Sequence, residues 1–159
     1  MNVKTTFLAG LCLSVLALTG CSAAAPPELT TWSDGACTES NPGVSLSVDY
    51  LGDVVTHCAE NYEGNGWELF EAAGFKVKGT DKYPTAFACQ IDDQPADAKC
   101  DDAPGAYWGY YIATRGIWGY ATSGAADRKS TCGTHEGWVY METEATKLHL
   151  PEPSEFTCK

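Results

Sequence analysis

The sequence predicts a small α+β domain in which one short helix lies across one face of a mixed sheet. Several short segments alternate apolar and polar residues, which is typical of half-buried strands. Helical spacing of apolar side chains is clear in one stretch, residues 66–73. Six cysteines lie beyond residue 36, and an even number predicts disulfides in an exported domain. A sheet and a helix must bury one face against each other, which defines the two expected layers.

The first twenty residues have the features of an export signal. Lys4 precedes an apolar run at residues 7–18, and this run of 12 residues is shorter than the roughly 20 that a membrane-spanning helix needs. The sequence Leu-Thr-Gly-Cys at 18–21 resembles the bacterial lipobox, in which the peptide is cut before the cysteine and a lipid is attached to its thiol. The resemblance implies a diacylglyceryl anchor on Cys21. The alternative is an ordinary secreted protein in which Cys21 is incidental.

The chain is therefore predicted to have three parts: a lipoprotein signal peptide at 1–20, the lipidated cysteine with a flexible tether at 21–36, and a single domain at 37–159. The expected location is extracytoplasmic, at the outer face of the bacterial cell membrane. Loss of Lys4 leaves 9 of the 10 basic residues against 21 acidic ones, a formal charge of −12. This charge repels phosphate backbones and argues against a nucleic-acid partner.

The first half of the domain predicts a hairpin and the helix. Alternation over residues 45–50, a Leu-Gly-Asp turn and then Val54 and Val55 indicate two antiparallel strands. The helix is expected over Gly66–Ala73, with Gly74 ending it.

The second half predicts further strands and a tail. Residues 75–78 alternate and are expected to be extended, and Phe87–Ile91 is expected to be a strand that an Asp-Asp-Gln-Pro turn folds back. A late strand is expected over Gly137–Met141. From Glu142 onward the prolines and scattered charges indicate a tail on the surface, held by Cys158.

The cysteines of the domain can pair in fifteen ways. Proximity along the chain favours three disulfides, of which Cys89–Cys100 is favoured most because the acidic turn lies between its members. The other two favoured pairs are Cys37–Cys58 and Cys132–Cys158. A zinc site is the alternative, but the chain has no Cys-x-x-Cys and the expected compartment is oxidising.

Residues 106–121, AYWGYYIATRGIWGYA, concentrate Trp and Tyr in one hairpin. A turn at Arg115 and Gly116 would pair Tyr111 with Tyr120 and Ala113 with Trp118, although a loop one residue longer would exchange the faces of one strand. The rings could simply fill the core. However, one short helix covers a single face, and an uncovered aromatic patch marks a binding surface. The face expected to be uncovered carries Tyr107, Tyr111, Trp118 and Tyr120, and the opposite face carries Trp108, Tyr110, Ile112 and Ile117.

Several ordered motifs carry a resemblance to a known family: GWELFEAAGF at 66–75, FACQID at 87–92 with Cys100, YWGYY at 107–111, then Trp118, Tyr120, Gly124, and EGW at 136–138. Over residues 37–141 the chain resembles a small secreted actinobacterial domain. That domain is similar to the C-terminal domain of the cobalamin carriers transcobalamin and intrinsic factor. The resemblance implies a β-grasp-like fold and corrinoid binding. The chain lacks the large helical domain that supplies half of the ligand cage in those carriers.

The resemblance also implies site residues. Trp108, Tyr110, Tyr111, Trp118 and Tyr120 are the expected ligand contacts, with Tyr83 and Trp138 as further candidates. Tyr and Trp offer apolar area and a polar group for the amides at the rim of a corrinoid. His135 lies inside the matched region and is a candidate axial ligand of cobalt, although such a histidine is more often a solvated loop residue.

The chain carries no motif of a catalytic site, so it is not expected to be an enzyme. It has no Gly-x-Ser-x-Gly, no His-Glu-x-x-His, no phosphate-binding glycine loop and no thiol left for a nucleophile. The acidic residues of the Cys89–Cys100 loop do not have calcium-loop spacing.

Two functions are consistent with these features. The first is a surface lipoprotein that captures cobalamin, as a bound ligand and not a catalytic cofactor, and delivers it to an importer or a second surface protein. The second is an adhesion or interaction module that binds glycan or protein through its aromatic patch.

Overall fold

A computed structural model describes residues 31–101, 105–143 and 145–158. The predicted signal peptide, the predicted lipidation site Cys21 and the first part of the predicted tether lie outside these residues. Within the described ranges, no helix has the length and apolar character needed to cross a membrane.

The domain consists mainly of strands. Its single described α-helix, α1, is Leu69–Ala72, and one turn of 3-10 helix spans Ala125–Asp127. The strands are β1 Trp32–Asp34, β2 Gly43–Tyr50, β3 Asp53–Glu60, β4 Gly64–Asn65, β5 Val77–Gly79, β6 Ala88–Ile91, β7 Tyr107–Thr114, β8 Ile117–Tyr120, β9 Lys129–Ser130 and β10 His135–Met141.

Six of these strands form one mixed sheet in the order β1-β3-β2-β10-β7-β8. Strand β10 lies between the two hairpins, parallel to β2 and antiparallel to β7. The pairs β4-β9 and β5-β6 form two small separate sheets. The predicted α+β class, mixed sheet and single short helix are therefore confirmed.

The first hairpin forms where the alternation predicts it. Strands β2 and β3 pair over their whole length, from Gly43 with Glu60 to Tyr50 with Asp53. Leu51 and Gly52 both have positive φ, 56° and 94°, which is the turn geometry that matches the twist of a two-residue hairpin.

The helix is shorter than the predicted Gly66–Ala73. Asn65 belongs to the β4-β9 ladder, and its side-chain oxygen accepts the backbone N–H groups of Trp67 and Glu68, so the chain makes a turn before the helix begins. Helix α1 ends at Ala72, and Gly74, two residues later, has φ +79°, which confirms the predicted glycine stop.

The second hairpin has the predicted register. Tyr111 pairs with Tyr120 and Ala113 with Trp118. Arg115 and Gly116 form the turn, both with positive φ, 55° and 74°. Because no residue is added to the loop, the predicted assignment of side chains to the two faces also holds.

All three disulfides favoured by the sequence are present: Cys37–Cys58, Cys89–Cys100 and Cys132–Cys158. The first joins the N-terminal segment to β3, the second closes the loop after β6, and the third holds the C-terminal tail.

The predicted boundary of the domain at residue 37 is too late. Trp32–Asp34, assigned to the flexible tether, form strand β1 at the edge of the sheet. The Trp32 ring stacks on the His57 ring at 4.3 Å, and this contact with β3 draws the segment into the fold.

The two faces of the sheet are covered by different elements. Helix α1 packs on one face, where Leu46, Phe70, Tyr110 and Trp138 share one apolar core. Tyr111, Val139 and Met141 lie on the other face in a second, smaller cluster, with Trp118 and Leu150 packed against it. We call residues 146–158 the C-terminal strap, because this segment contacts the second face. The sequence predicted this segment as a tail on the surface but did not assign it to this face.

Candidate ligand-binding cleft

An open cleft of about 630 Å³ lies at the end of the sheet where β7 begins and β8 finishes. Its volume is in the range of small-molecule sites. Six aromatic rings contribute to the lining: Tyr83, Phe87, Tyr107, Trp108, Tyr120 and Tyr140.

One wall of the cleft comes from the large sheet. Tyr107 and Tyr120 lie on the strap-covered face, whereas Trp108 and Tyr140 lie on the helix face and pair across β7 and β10. The rings of Trp108 and Tyr140 meet edge to face at 5.3 Å. The cleft therefore extends around the end of the sheet and contacts both faces.

The other wall is the segment from Thr80 to Asp101. Backbone bonds from Thr80 N–H to Phe87 O (2.9 Å) and from Asp81 N–H to Cys100 O (2.8 Å) hold it together, and the Cys89–Cys100 disulfide closes it. Because the backbone and a covalent bond define this wall, it is formed without a ligand.

The cleft presents apolar ring surface beside polar groups. Phe87 and Tyr120 are both 58% exposed, and the Tyr83 ring contacts Phe87 edge to face at 5.3 Å. Asp97, Lys99 and Asp101 also contribute to the lining. Such a surface suits a flat, partly apolar molecule with polar groups at its rim.

Two tyrosines of the cleft, Tyr120 and Tyr140, have hydroxyls whose pKa is raised. Burial, with a smaller contribution from Tyr107, raises the pKa of Tyr120. Burial also raises the pKa of Tyr140, with smaller contributions from Tyr50, Asp97 and Glu142. These hydroxyls can therefore both donate and accept hydrogen bonds at neutral pH.

The structure brings three of the seven expected ligand contacts together. Trp108, Tyr120 and Tyr83 line the cleft. Trp108 is 5% exposed, and its indole N–H is buried without a partner among the described residues.

Tyr110 and Trp138 belong to the core beneath the helix. Their rings stack at 4.8 Å, and the Tyr110 hydroxyl donates to the buried carboxylate of Glu136, which also accepts from Arg128 Nε at 3.4 Å. Burial first and Glu136 second raise the pKa of Tyr110. These two rings do not reach the cleft, because their positions on β7 and β10 point into the packed face.

Tyr111 and Trp118 are covered by the C-terminal strap and neighbouring side chains. Tyr111 is 7% exposed and its hydroxyl approaches Met141 Sδ at 3.7 Å. Trp118 is partly buried and its indole N–H donates to Pro151 O at 2.7 Å. Their expected exposure is wrong because residues about 30 positions later in the chain pack on them.

His135 is not a lining residue of the cleft. It is fully buried, with Nε2 2.8 Å from Ser47 Oγ and Nδ1 accepting the Ser154 backbone N–H at 3.0 Å. Burial lowers its pKa to about 4. Both ring nitrogens are used within the protein, so cobalt ligation would require one of these bonds to break. The histidine is also not the solvated loop residue that the sequence allowed.

Three lining rings were missed as ligand contacts. The sequence placed Tyr107 on the correct face of the sheet without assigning it to the site. Phe87 precedes a strand and Tyr140 lies in the late strand, and their proximity depends on the disulfide-closed segment folding toward β10. Cross-strand pairing of Tyr140 with Trp108 was the signal that could have identified one of them.

Within the described ranges, no three His, Cys, Asp or Glu side chains are grouped closely enough to hold a metal ion. Comparison of the chain with protein-family models, with curated proteins and with solved structures finds no match.

Proposed function

We propose that this protein is an extracytoplasmic binding protein that captures a corrinoid in its aromatic cleft and passes it to an uptake system. The observation that carries the proposal is the cleft itself, with its preformed walls, its six rings and the hydroxyls of Tyr120 and Tyr140. The flat, largely apolar macrocycle of a corrinoid suits the rings, and its peripheral amides suit the hydroxyls.

The topology supports the β-grasp assignment within this proposal. A first hairpin, a helix packed on the sheet, a second hairpin and a last strand inserted between the hairpins are compatible with the fold that the family resemblance implies. The cleft is open on one side. A ligand in this cleft would therefore be enclosed on one side only and would leave its other side accessible to a partner.

The proposed location rests on different evidence. Three disulfides suit an oxidising, extracytoplasmic compartment. The lipobox-like sequence ending at Cys21 supports a lipid anchor, and the residues between Cys21 and β1 would hold the domain near the membrane. A membrane-bound importer or a second surface protein would then receive the ligand.

A direct test is to mix the protein with cyanocobalamin, desalt it and record the ultraviolet-visible spectrum. The proposal expects the corrinoid absorbance to stay with the protein fraction. A colourless protein whose tryptophan fluorescence is also unchanged by the ligand would remove the proposal.

A matched pair of variants locates the site. Tyr120 and Ile117 lie on the same strand and are both more than half exposed, but only Tyr120 lines the cleft. Tyr120→Ala is expected to weaken binding by roughly tenfold, from the loss of one aromatic contact. Ile117→Ala is expected to leave binding unchanged. Equal effects in a titration of cyanocobalamin would place the ligand outside the cleft.

The exposed rings of Tyr83, Phe87 and Tyr120 also favour the second function, an interaction module for glycan or protein. Ring faces stack on sugars as well as on macrocycles. If the corrinoid test fails, binding to a glycan array that depends on Tyr120 and not on Ile117 would support this alternative.

A further inference from the structure

Strand β8 is shorter than its partner β7, and this leaves part of β7 with an open edge. The paired residues run from Thr114 with Ile117 to Tyr111 with Tyr120. One further bond joins Ala121 N–H to Tyr110 O at 2.8 Å. Beyond it, β7 continues for three more residues, Tyr107–Gly109, which pair only with β10 among the described strands.

The direction of the Trp108 backbone follows from this ladder. In an antiparallel strand, the N–H and C=O of one residue point to the same side, and those of alternate residues share that side. Tyr110 directs its carbonyl toward the chain that continues from β8. The N–H and C=O of Trp108 therefore also point away from β10, to the side where β8 no longer pairs with β7. No described residue hydrogen-bonds to either group.

This open edge lies at the cleft. Tyr120, the last residue of β8, and Tyr107 and Trp108 of β7 all line it. Trp108 is 95% buried, and an unpaired backbone N–H and C=O in such a position cost free energy until something pairs with them. The N–H and C=O of Trp108 are thus a donor and an acceptor on an open strand edge whose residues line the cleft.

We propose that the N–H and C=O of Trp108 form the polar anchor of the cleft and pair with a carboxamide of the ligand, as a neighbouring strand would. A primary amide offers one acceptor and two donors, which matches both backbone groups at once. This inference rests on the proposed function, since the amides concerned are those at the rim of the corrinoid. It adds the chemical group by which the ligand is oriented.

The favoured group is an amide and not a carboxylate or a phosphate. An anion would pair with the N–H but would repel the adjacent C=O, and Asp97 and Asp101 add negative charge to the lining. Lys99 is present among the lining residues, but it lies beside these two carboxylates.

The test is amide hydrogen exchange on the ¹⁵N-labelled protein with and without cyanocobalamin. The Trp108 N–H is expected to exchange faster than the ladder-bonded Tyr111 N–H in the free protein, and roughly tenfold more slowly at saturating ligand than without it, the effect of one added hydrogen bond. The Tyr111 amide, which faces β10 in the ladder, is the internal control and is expected to be protected in both states.

The outcomes separate the two proposals. Retained corrinoid absorbance with slowed exchange at Trp108 supports both. Retained absorbance with unchanged exchange at Trp108, or a Trp108 N–H already protected in the free protein, overturns the anchor and leaves the corrinoid site intact. Absence of bound corrinoid overturns the proposed function and the anchor with it.

Discussion

The two faces of the large sheet are buried by different physical means. On the helix face, Phe70, Trp138 and Tyr110 pack ring against ring, and burial of apolar area supplies the stability. On the strap face, β2 contributes Ser45, Ser47 and Asp49, which are completely buried. Side-chain hydrogen bonds, rather than apolar packing alone, join this face to the segment that covers it.

The hydrogen bonds of the strap explain how coil can cover a sheet. Ser154 donates its backbone N–H to His135 and its hydroxyl to Cys37 O at 2.8 Å, and the His149 backbone N–H donates to Asp49 at 2.7 Å. The strap thus satisfies the buried Asp49 and His135, whereas Ser45 accepts the Cys37 backbone N–H and Ser47 bonds to Thr56 and His135. The cleft forms at the end of the sheet where the two kinds of burial meet.

The largest expected effect is on the helix face. Trp138→Ala removes a ring that is 2% exposed and lies 5.1 Å from Phe70, centroid to centroid. It is expected to lower the free energy of unfolding by about 3–5 kcal/mol, measured by urea denaturation. The matched variant on the strap face, Trp118→Ala, loses a partly buried ring and one hydrogen bond, and about 1–2 kcal/mol is expected. Equal losses would contradict the difference between the faces.

The second largest expected effect is a pH dependence of stability that comes from the strap face. His135 has a pKa of about 4 in the folded protein, lowered by burial from its ordinary value of 6.5, with Glu155 opposing the shift. As the pH falls, His135 is therefore protonated in the unfolded chain at a higher pH than in the folded protein. The contribution of His135 to stability is complete above pH 6.5 and is lost as the pH falls toward 4, a total of about 3 kcal/mol.

The measurement is the free energy of unfolding of the wild type and of His135→Gln between pH 7 and pH 4. His57 and His149 are present in both proteins, so the difference between the two profiles isolates His135. If the free energies of unfolding of the two proteins changed in parallel with pH, protonation of His135 would not contribute to stability.

The smallest effect concerns a single bond of the strap. Ser154→Ala removes the hydroxyl bond to Cys37 O but keeps the backbone bond to His135. A loss of about 1 kcal/mol is expected, because the Cys132–Cys158 disulfide still holds the strap. Hydrogen exchange should show the loosening at residues 149–156 and not in α1. A loss as large as that of Trp138→Ala would mean that the strap, not the helix, dominates stability.

Local patterns were sufficient for much of the fold. The alternation in β2, the turns at Leu51-Gly52 and Arg115-Gly116 and the proximity of the paired cysteines depend on residues close together in the chain. The predicted helix was longer than the observed one because Asn65 joins a small sheet with β9, a partner more than 60 residues away. The extent of an element is thus less predictable than its presence when a distant strand competes for its first residues.

The candidate site was only partly predictable for the same reason. Strand alternation assigned Tyr111 and Tyr120 to one face, and their rings do meet edge to face at 5.3 Å. Alternation cannot show that one ring is covered by Val139, Met141 and the strap while the other stays open to the cleft.

The sequence by itself predicted the class of the domain and the Cys89–Cys100 disulfide, and it favoured the other two disulfides and the register that assigns each aromatic ring to a face of the sheet. Only the tertiary structure decided which rings are available to a ligand. The physical reason is that register depends on neighbours along two strands, whereas exposure depends on what distant segments cover. Here those segments are the strap and the disulfide-closed loop, and between them they leave Tyr83, Phe87 and Tyr120 open.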